Sequence, residues 1–319
     1  MAKAVTDCVK SRSRSGASAV CRTHEVPRHR DLFWRVSLSL AKTARDLSRE
    51  CPHECLYCYA RTFRSNPGKG RLVFCEDAAK LLDQELARKR KKPEKVYFST
   101  STDPFPYESN VLAAQLDVMR ILLRNGIRLI VSTKARIPAE FIALLTEYRQ
   151  LVQVQVGLNT LDEQVRCAVE PGAGTVEVRL NNMALLGRAG VPAIFRMDPI
   201  IPGLTDNQAQ FTGLVFAAAT RGARNIIASC LFLRGAHRWP KDLRIGEWSY
   251  VEMVKRHYTY KLDDFWSGGS VILPPPEYRQ EQYGLLREIA VAAGINVTIC
   301  GCKNSDVPQE CCMSAVRSC

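Results

Sequence analysis

The sequence predicts an α/β protein built as a partial (β/α)6 TIM-like barrel with a Cys-rich C-terminal extension. Three observations predict it. Short segments rich in apolar and β-branched residues alternate with helical segments from about residue 34 almost to the end of the chain. The alternation repeats about six times, fewer than the eight of a closed barrel. Five of the 13 cysteines fall in residues 300–319. A doubly wound open sheet is the alternative. In both architectures the strands are parallel, and site residues gather at their C-terminal ends.

Residues 1–31 are polar, basic and unpatterned, and are expected to form a flexible basic arm. Candidate strands are Trp34–Leu40, Lys95–Thr100, Arg128–Thr133, Val152–Leu158, Ala193–Asp198, Asn225–Phe232 and Ile295–Cys300. Helices are expected between them. Asp77–Arg90 has an acidic start and a basic end, which suits the helix dipole. Leu112–Arg124 puts Leu112, Leu116 and Met119 on one face and stops at Asn125-Gly126. Pro138–Arg149 begins with a proline near its first turn. Thr175–Arg188 and Pro276–Ala293 each run out near a glycine. Residues 233–275 break the alternation, with Trp239-Pro240 and Pro274-Pro275-Pro276 as punctuation. The expected organisation is therefore a barrel over 32–235, followed by a lid or substrate region over 236–319 that carries the last strand and the cysteine tail.

Of the 319 residues, 46% are hydrophobic and 24% charged, the composition of a soluble globular protein. No apolar run reaches the roughly 18–20 residues needed to cross a bilayer, so no membrane association is expected. The basic, Ser-rich start is followed by no apolar core, so it does not read as a secretory signal. Thirteen cysteines in a chain of this length fit clusters of ligands in a reducing cytoplasm better than a disulfide scaffold. The net charge of +13 is concentrated in the first 36 residues and in Arg88-Lys89-Arg90-Lys91-Lys92. It points either to a phosphate-bearing partner or simply to a solvated face.

The central motif is Cys51-Pro-His-Glu-Cys55-Leu-Tyr-Cys58, with C-x3-C-x2-C spacing in the loop after the first predicted strand. A structural zinc site wants four closed ligands, and here three cysteines stand together. A zinc site completed by His53 or a distant cysteine is the alternative. Three thiolates can instead hold three irons of a [4Fe–4S] cluster and leave the fourth open to the amino and carboxylate groups of S-adenosylmethionine (SAM). An electron passed to the sulfonium then yields methionine and a 5′-deoxyadenosyl radical that abstracts hydrogen from a substrate. Tyr57, just before the last cysteine, is expected near the adenine.

Further segments carry a resemblance: Cys58-Tyr-Ala-Arg61, Ser101-Thr-Asp-Pro104 with Glu108, Ser132-Thr-Lys134, Glu170-Pro-Gly172 with Arg179-Leu180, Asp198-Pro-Ile-Ile-Pro-Gly203 and Leu233-Arg-Gly235. In order and position these resemble radical SAM proteins of the spore photoproduct lyase-like group, also called DNA repair photolyase-like proteins. The resemblance covers roughly residues 35–235 and implies a partial barrel of the radical SAM type. It also implies that Thr102 and Asp103 contact the SAM amino group or ribose, and that Lys134 pairs with the SAM carboxylate. Asn159 and Arg196 are candidates for ribose or substrate contacts. The reductant implied is a flavodoxin or ferredoxin. One departure concerns the group's namesake, which is understood to use a cysteine as hydrogen donor. Here Ser99-Thr-Ser-Thr-Asp103 holds none, so repair by the namesake's mechanism is not expected.

At the other end, Cys300, Cys302, Cys311 and Cys312 could ligate an auxiliary iron–sulfur cluster or a zinc ion. Alternatively, Cys300 or Cys302 serves as a hydrogen donor or relay, or the tail is inert. Cys8, Cys21, Cys75, Cys167, Cys230 and Cys319 show no ligand spacing and read as buried small residues or surface thiols. The function expected is a radical SAM enzyme acting on a nucleotide, nucleoside or nucleic acid. The alternatives are the same chemistry on a small metabolite, or a non-catalytic metal-dependent nucleic-acid-binding protein.

Overall fold

The structure is a computed structural model that describes residues 48–49, 51–63, 66, 68, 72–74, 77–98, 101–234, 239–264 and 269–307. Its centre is one sheet of six parallel strands: β1 (Lys95–Phe98), β2 (Arg128–Thr133), β3 (Val152–Gly157), β4 (Ala193–Ile200), β5 (Asn225–Cys230) and β6 (Asn296–Ile299). Their spatial order is their chain order. A doubly wound sheet would reverse direction at a switch point, so the continuous order excludes that alternative and gives a partial barrel. Among the described residues no pairing joins β1 to β6. The expected first strand, Trp34–Leu40, lies outside the described residues.

Among the described residues eight α-helices accompany the strands: α1 (Ala78–Arg88), α2 (Ser109–Arg124), α3 (Ala139–Glu147), α4 (Glu163–Val169), α5 (Val176–Arg188), α6 (Gln208–Thr220), α7 (Tyr250–His257) and α8 (Pro276–Ala292). Asp162, Thr175 and Asn207 cap α4, α5 and α6 by accepting hydrogen bonds from first-turn backbone N–H groups. Helices α4, α6 and α7 go beyond the sequence expectation. The residues 233–275 that break the alternation form two small antiparallel pairs, Arg244–Ile245 with Trp248–Ser249 and Tyr260–Asp264 with Gly269–Leu273. Gly246 turns the first of these at φ +59°, where a Cβ would be strained.

Strand alternation places the site. In β3, Val152, Val154 and Val156 join the main apolar core, while Gln153 and Gln155 take the other face, and all five are buried. In β4, Phe195 and Met197 go to that core, and Ile194, Arg196 and Asp198 take the opposite side. Ile194, Ile227 and Cys300 form a small apolar cluster of their own. Successive side chains point to opposite faces of a strand, so the sheet has one apolar face toward the helices and one polar, buried, concave face. A second apolar cluster, including Ile201, Leu204, Leu231, Trp239 and Met253, sits beyond the strand ends, and Leu56 and Tyr57 pack against it. Cys230 is buried, as expected of a small apolar residue. Cys167 departs from expectation: it is disulfide-bonded.

Candidate active site

The cysteine loop is folded by its own turns. Glu54 N–H donates to the Cys51 carbonyl (3.4 Å) and Cys58 N–H to that of Cys55 (3.1 Å). Two further bonds fasten the loop to the chain after β3. Leu56 N–H donates to Val169 O, and Gly172 N–H to His53 O, both at 2.9 Å. Gly172 lies so close that a Cβ there would stand 2.2 Å from the Pro52 carbonyl oxygen. Cys55 is buried, and Cys51 and Cys58 are half-buried. Burial pushes all three thiols above their ordinary range, Cys55 to about 12, with Asp103 adding to the effect at Cys51 and Glu170 at Cys55. Ligation must therefore displace protons.

Among the described residues no three His, Cys, Asp or Glu side chains converge as they would around one metal ion. His53 does not complete a zinc site with the cysteines. It is buried, with Nδ1 3.5 Å from Asp103 Oδ2 and Nε2 unpartnered. A cubane makes a different demand, because its three thiolates sit on three separate irons.

Beneath the loop lies Glu170, wholly buried at the end of α4. It accepts a hydrogen bond from the Tyr57 hydroxyl, pairs with Arg179 Nη1 at 2.5 Å, and has Lys134 Nζ at 4.0 Å. Burial alone would raise its pKa, but Arg179, Lys134 and the Tyr57 hydroxyl outweigh it, so the carboxylate is held ionised. Arg179, fully buried, also donates to the carbonyls of Gly174 (2.7 Å) and Gly157 (3.0 Å). One carboxylate thus ties the cysteine loop, through Tyr57, to the end of β3.

Asp103 performs a similar task between β1 and β2. It accepts from Thr133 Oγ1 (2.8 Å), Phe105 N–H (3.0 Å) and Lys134 N–H (2.7 Å). The Lys134 backbone is fixed by these bonds. Its ammonium reaches across β3 to Asp198 O (3.3 Å) and lies 5.7 Å from the Tyr57 ring centroid. Gly157 permits this path, since a Cβ there would come within 3.0 Å of Lys134 Cγ. Asn159, just past β3, is buried, and neither atom of its amide has a partner. Thr102 is half-buried.

Deeper in the concave face runs a polar chain. Tyr97 and Arg196 Nη1 both donate to Gln155 Oε1 at 2.8 Å. Arg196 also holds Asp198 Oδ2 (3.0 and 2.6 Å), and Lys303 Nζ holds both oxygens of Asp198 (2.8 and 2.6 Å). Burial opposes ionisation of Asp198, but Lys303 and Arg196 win and depress its pKa strongly. Cys300 Sγ is 3.9 Å from Arg196 Nη2, and Lys303 Nζ is 5.5 Å from the Phe232 ring centroid.

The family model for the radical SAM superfamily matches residues 47–213, just over half of the chain. The chain belongs to the radical SAM superfamily. It is an enzyme of that type, and membership implies a [4Fe–4S] cluster and SAM. Its relatives include an uncharacterized protein of Mycobacterium tuberculosis, 29% identical over 249 residues (75% of this chain, 70% of the relative). Another is a radical SAM Nα-GlyT isomerase of a Pseudomonas phage, 22% identical over 78% of this chain and 51% of the isomerase. Among solved structures, spore photoproduct lyase complexed with dinucleoside spore photoproduct superposes with a TM-score of 0.62 at 16% identity, covering 85% of this chain and 80% of the lyase. SuiB of Streptococcus suis superposes with a TM-score of 0.53 at 12% identity, covering 79% of this chain and 47% of SuiB. Likeness at this identity establishes the fold.

The residues fit the implied groups. Three thiols stand in one loop pinned to the barrel, and a buried amide without a partner lies past β3. The structure brings Tyr57, Lys134, Asp103 and Glu170 together around the loop, and Arg196 onto Asp198. Of the tail cysteines 300, 302, 311 and 312, only Cys300 has a described side chain. Cys300 is enclosed with Ile194 and Ile227, Cys302 lies in the turn Gly301–Lys303 with its side chain outside the description, and Cys311 and Cys312 lie beyond the described residues. Among the described residues no helix is long and apolar enough to cross a membrane. Sequence reasoning missed the roles of Asp198 and Lys303. Asp198 was singled out only as part of the Asp198–Gly203 motif, and Lys303 only by its place just after a strand.

Proposed function

We propose that Cys51, Cys55 and Cys58 ligate the [4Fe–4S] cluster, and that the substrate is a nucleotide, nucleoside or nucleic acid. Held there, the cluster supplies the electron that opens SAM to a 5′-deoxyadenosyl radical. The observation that carries the reading is the loop itself, fastened by Gly172 and Glu170 at the open ends of the parallel strands. Lys134 supplies a cation for the SAM carboxylate, and its backbone is set by Asp103. Thr102 and the unpartnered Asn159 amide supply polar contacts for the amino group and ribose. Tyr57, fixed by Glu170, flanks the adenine. Arg196 and Lys303 bring two cations to one carboxylate, a local excess of positive charge at Asp198. Residues 236–319 are assigned the lid or substrate role, with Lys303 paired to Asp198, and Cys300 or Cys302 the role of hydrogen donor or relay.

A nucleotide substrate is supported by that local positive charge, by the +13 net charge, and by the likeness to a lyase solved with a dinucleoside photoproduct. A flavodoxin or ferredoxin is the expected reductant. The test is isotopic: a per-deuterated oligonucleotide is incubated anaerobically with enzyme, SAM and dithionite. Deuterium in the 5′-deoxyadenosine supports the substrate class. Formation of 5′-deoxyadenosine that never carries deuterium from any nucleotide tested overturns it.

A further inference from the structure

We infer that Tyr59, Phe232 and Lys303 form a base-stacking subsite at the mouth of the barrel. This deepens the proposed function and rests on its nucleotide reading. Three elements bring the residues together. Tyr59 opens the 3-10 turn Tyr59–Thr62 directly after Cys58, Phe232 follows the end of β5, and Lys303 follows β6. The Tyr59 and Phe232 rings lie 5.9 Å apart, tilted by 41°, and Phe63 meets Tyr59 edge-on at 5.6 Å. Lys303 Nζ approaches Phe232 at 5.5 Å while bonded to Asp198.

The chemistry selects the occupant. All three rings are half-buried, leaving apolar ring surface at the mouth. An aromatic surface edged by a cation fits a planar heterocycle attached to a phosphate: the rings stack on the base and the ammonium faces its anion. Tyr59 adjoins Cys58, so a base held here lies next to the proposed cluster loop. Stacking is tolerant of base identity, so the subsite fixes the substrate's position and leaves sequence preference to other contacts.

The experiment compares two fluorescent probes, a single-stranded twelve-nucleotide oligodeoxythymidine and an abasic oligomer of equal length, by anisotropy on the full chain. The variants are Phe232→Leu, which keeps apolar volume but removes the ring face, and Lys303→Gln. Wild type is expected to prefer the oligothymidine. Phe232→Leu should weaken that probe by about fivefold to a hundredfold, leave the abasic probe unchanged, and retain wild-type cluster content and thermal midpoint. Lys303→Gln should lower the salt slope for both probes by about one unit. Equal wild-type affinity for both probes, or equal loss on both in Phe232→Leu, overturns the subsite. Those results are independent of deuterium transfer. Base-selective binding without transfer would sink the nucleotide-substrate reading and leave the subsite standing.

Discussion

Replacing Gly172 by alanine tests how the cysteine loop is held. The added Cβ would meet Pro52 O at 2.2 Å, His53 Cα at 2.9 Å and His53 C at 3.0 Å. All three are backbone atoms, and carbon contacts relax only near 3.5–4.0 Å. The loop must therefore move by about 1 Å. Movement strains the Gly172–His53 bond (2.9 Å), the Leu56–Val169 bond (2.9 Å) and the Tyr107 hydroxyl bond to Gly172 O (2.7 Å). Overpacking costs about 1–3 kcal/mol, and one lost hydrogen bond adds about 1 kcal/mol. The sum is about 2–4 kcal/mol, or a drop of about 3–8 °C in the apo thermal midpoint of a chain this size. Iron retained after anaerobic gel filtration should fall well below wild type, because the displacement falls on the ligand loop. The assay is calorimetry of the apo protein together with iron counts on the reconstituted one. A variant with unchanged midpoint and full iron would refute the claim that the loop is wedged against Gly172.

Four further outcomes follow from the same geometry. Gly284→Ala, on α8 with open space around it, should stabilise by about 0.5–1 kcal/mol in a chemical denaturation series. Arg179→Met leaves Glu170 buried without its main partner and should destabilise by about 3–5 kcal/mol. Asp198 has a depressed folded pKa, so its stabilisation is present above the unfolded carboxylate value of about 3.9 and fades as pH falls below it. The apo stability gap between wild type and Asp198→Asn should accordingly shrink between about pH 5 and pH 3, and a gap that widens there would contradict the assignment. A Cys51/Cys55/Cys58 triple-Ala variant should retain no iron, since Cys300 is enclosed with Ile194 and Ile227; iron left behind would assign a second cluster to the tail.

Much of the barrel was legible because its strands are short, β-branched runs with turn residues at both ends. Five of the expected helices appear within a few residues of their predicted bounds. Helix α6 was illegible because Gln208–Thr220 is small or apolar nearly all around: Phe211, Leu214 and Val215 are buried while Phe216 is 68% exposed. Without a polar stripe, periodicity carries no signal. The alternation Val-Gln-Val-Gln-Val in β3 reads as a half-solvated strand, yet both faces are buried, because the glutamines line a concave interior. The cysteine loop stands out in the sequence by its spacing. The buried partners do not. Arg179 is one arginine on a helix, and only the fold brings it to Glu170. Lys303 and Asp198 are 105 positions apart in the chain.

The most direct measurement is 5′-deoxyadenosine formation by anaerobically reconstituted protein given SAM and dithionite, with wild type and Cys55→Ala side by side. Wild type is expected to carry about four irons per chain, show cubane absorbance and release 5′-deoxyadenosine, and Cys55→Ala to do none of these. Equal nucleoside release by the two proteins, or wild type without cubane absorbance, would contradict the assignment of Cys51, Cys55 and Cys58 as the cluster's ligands.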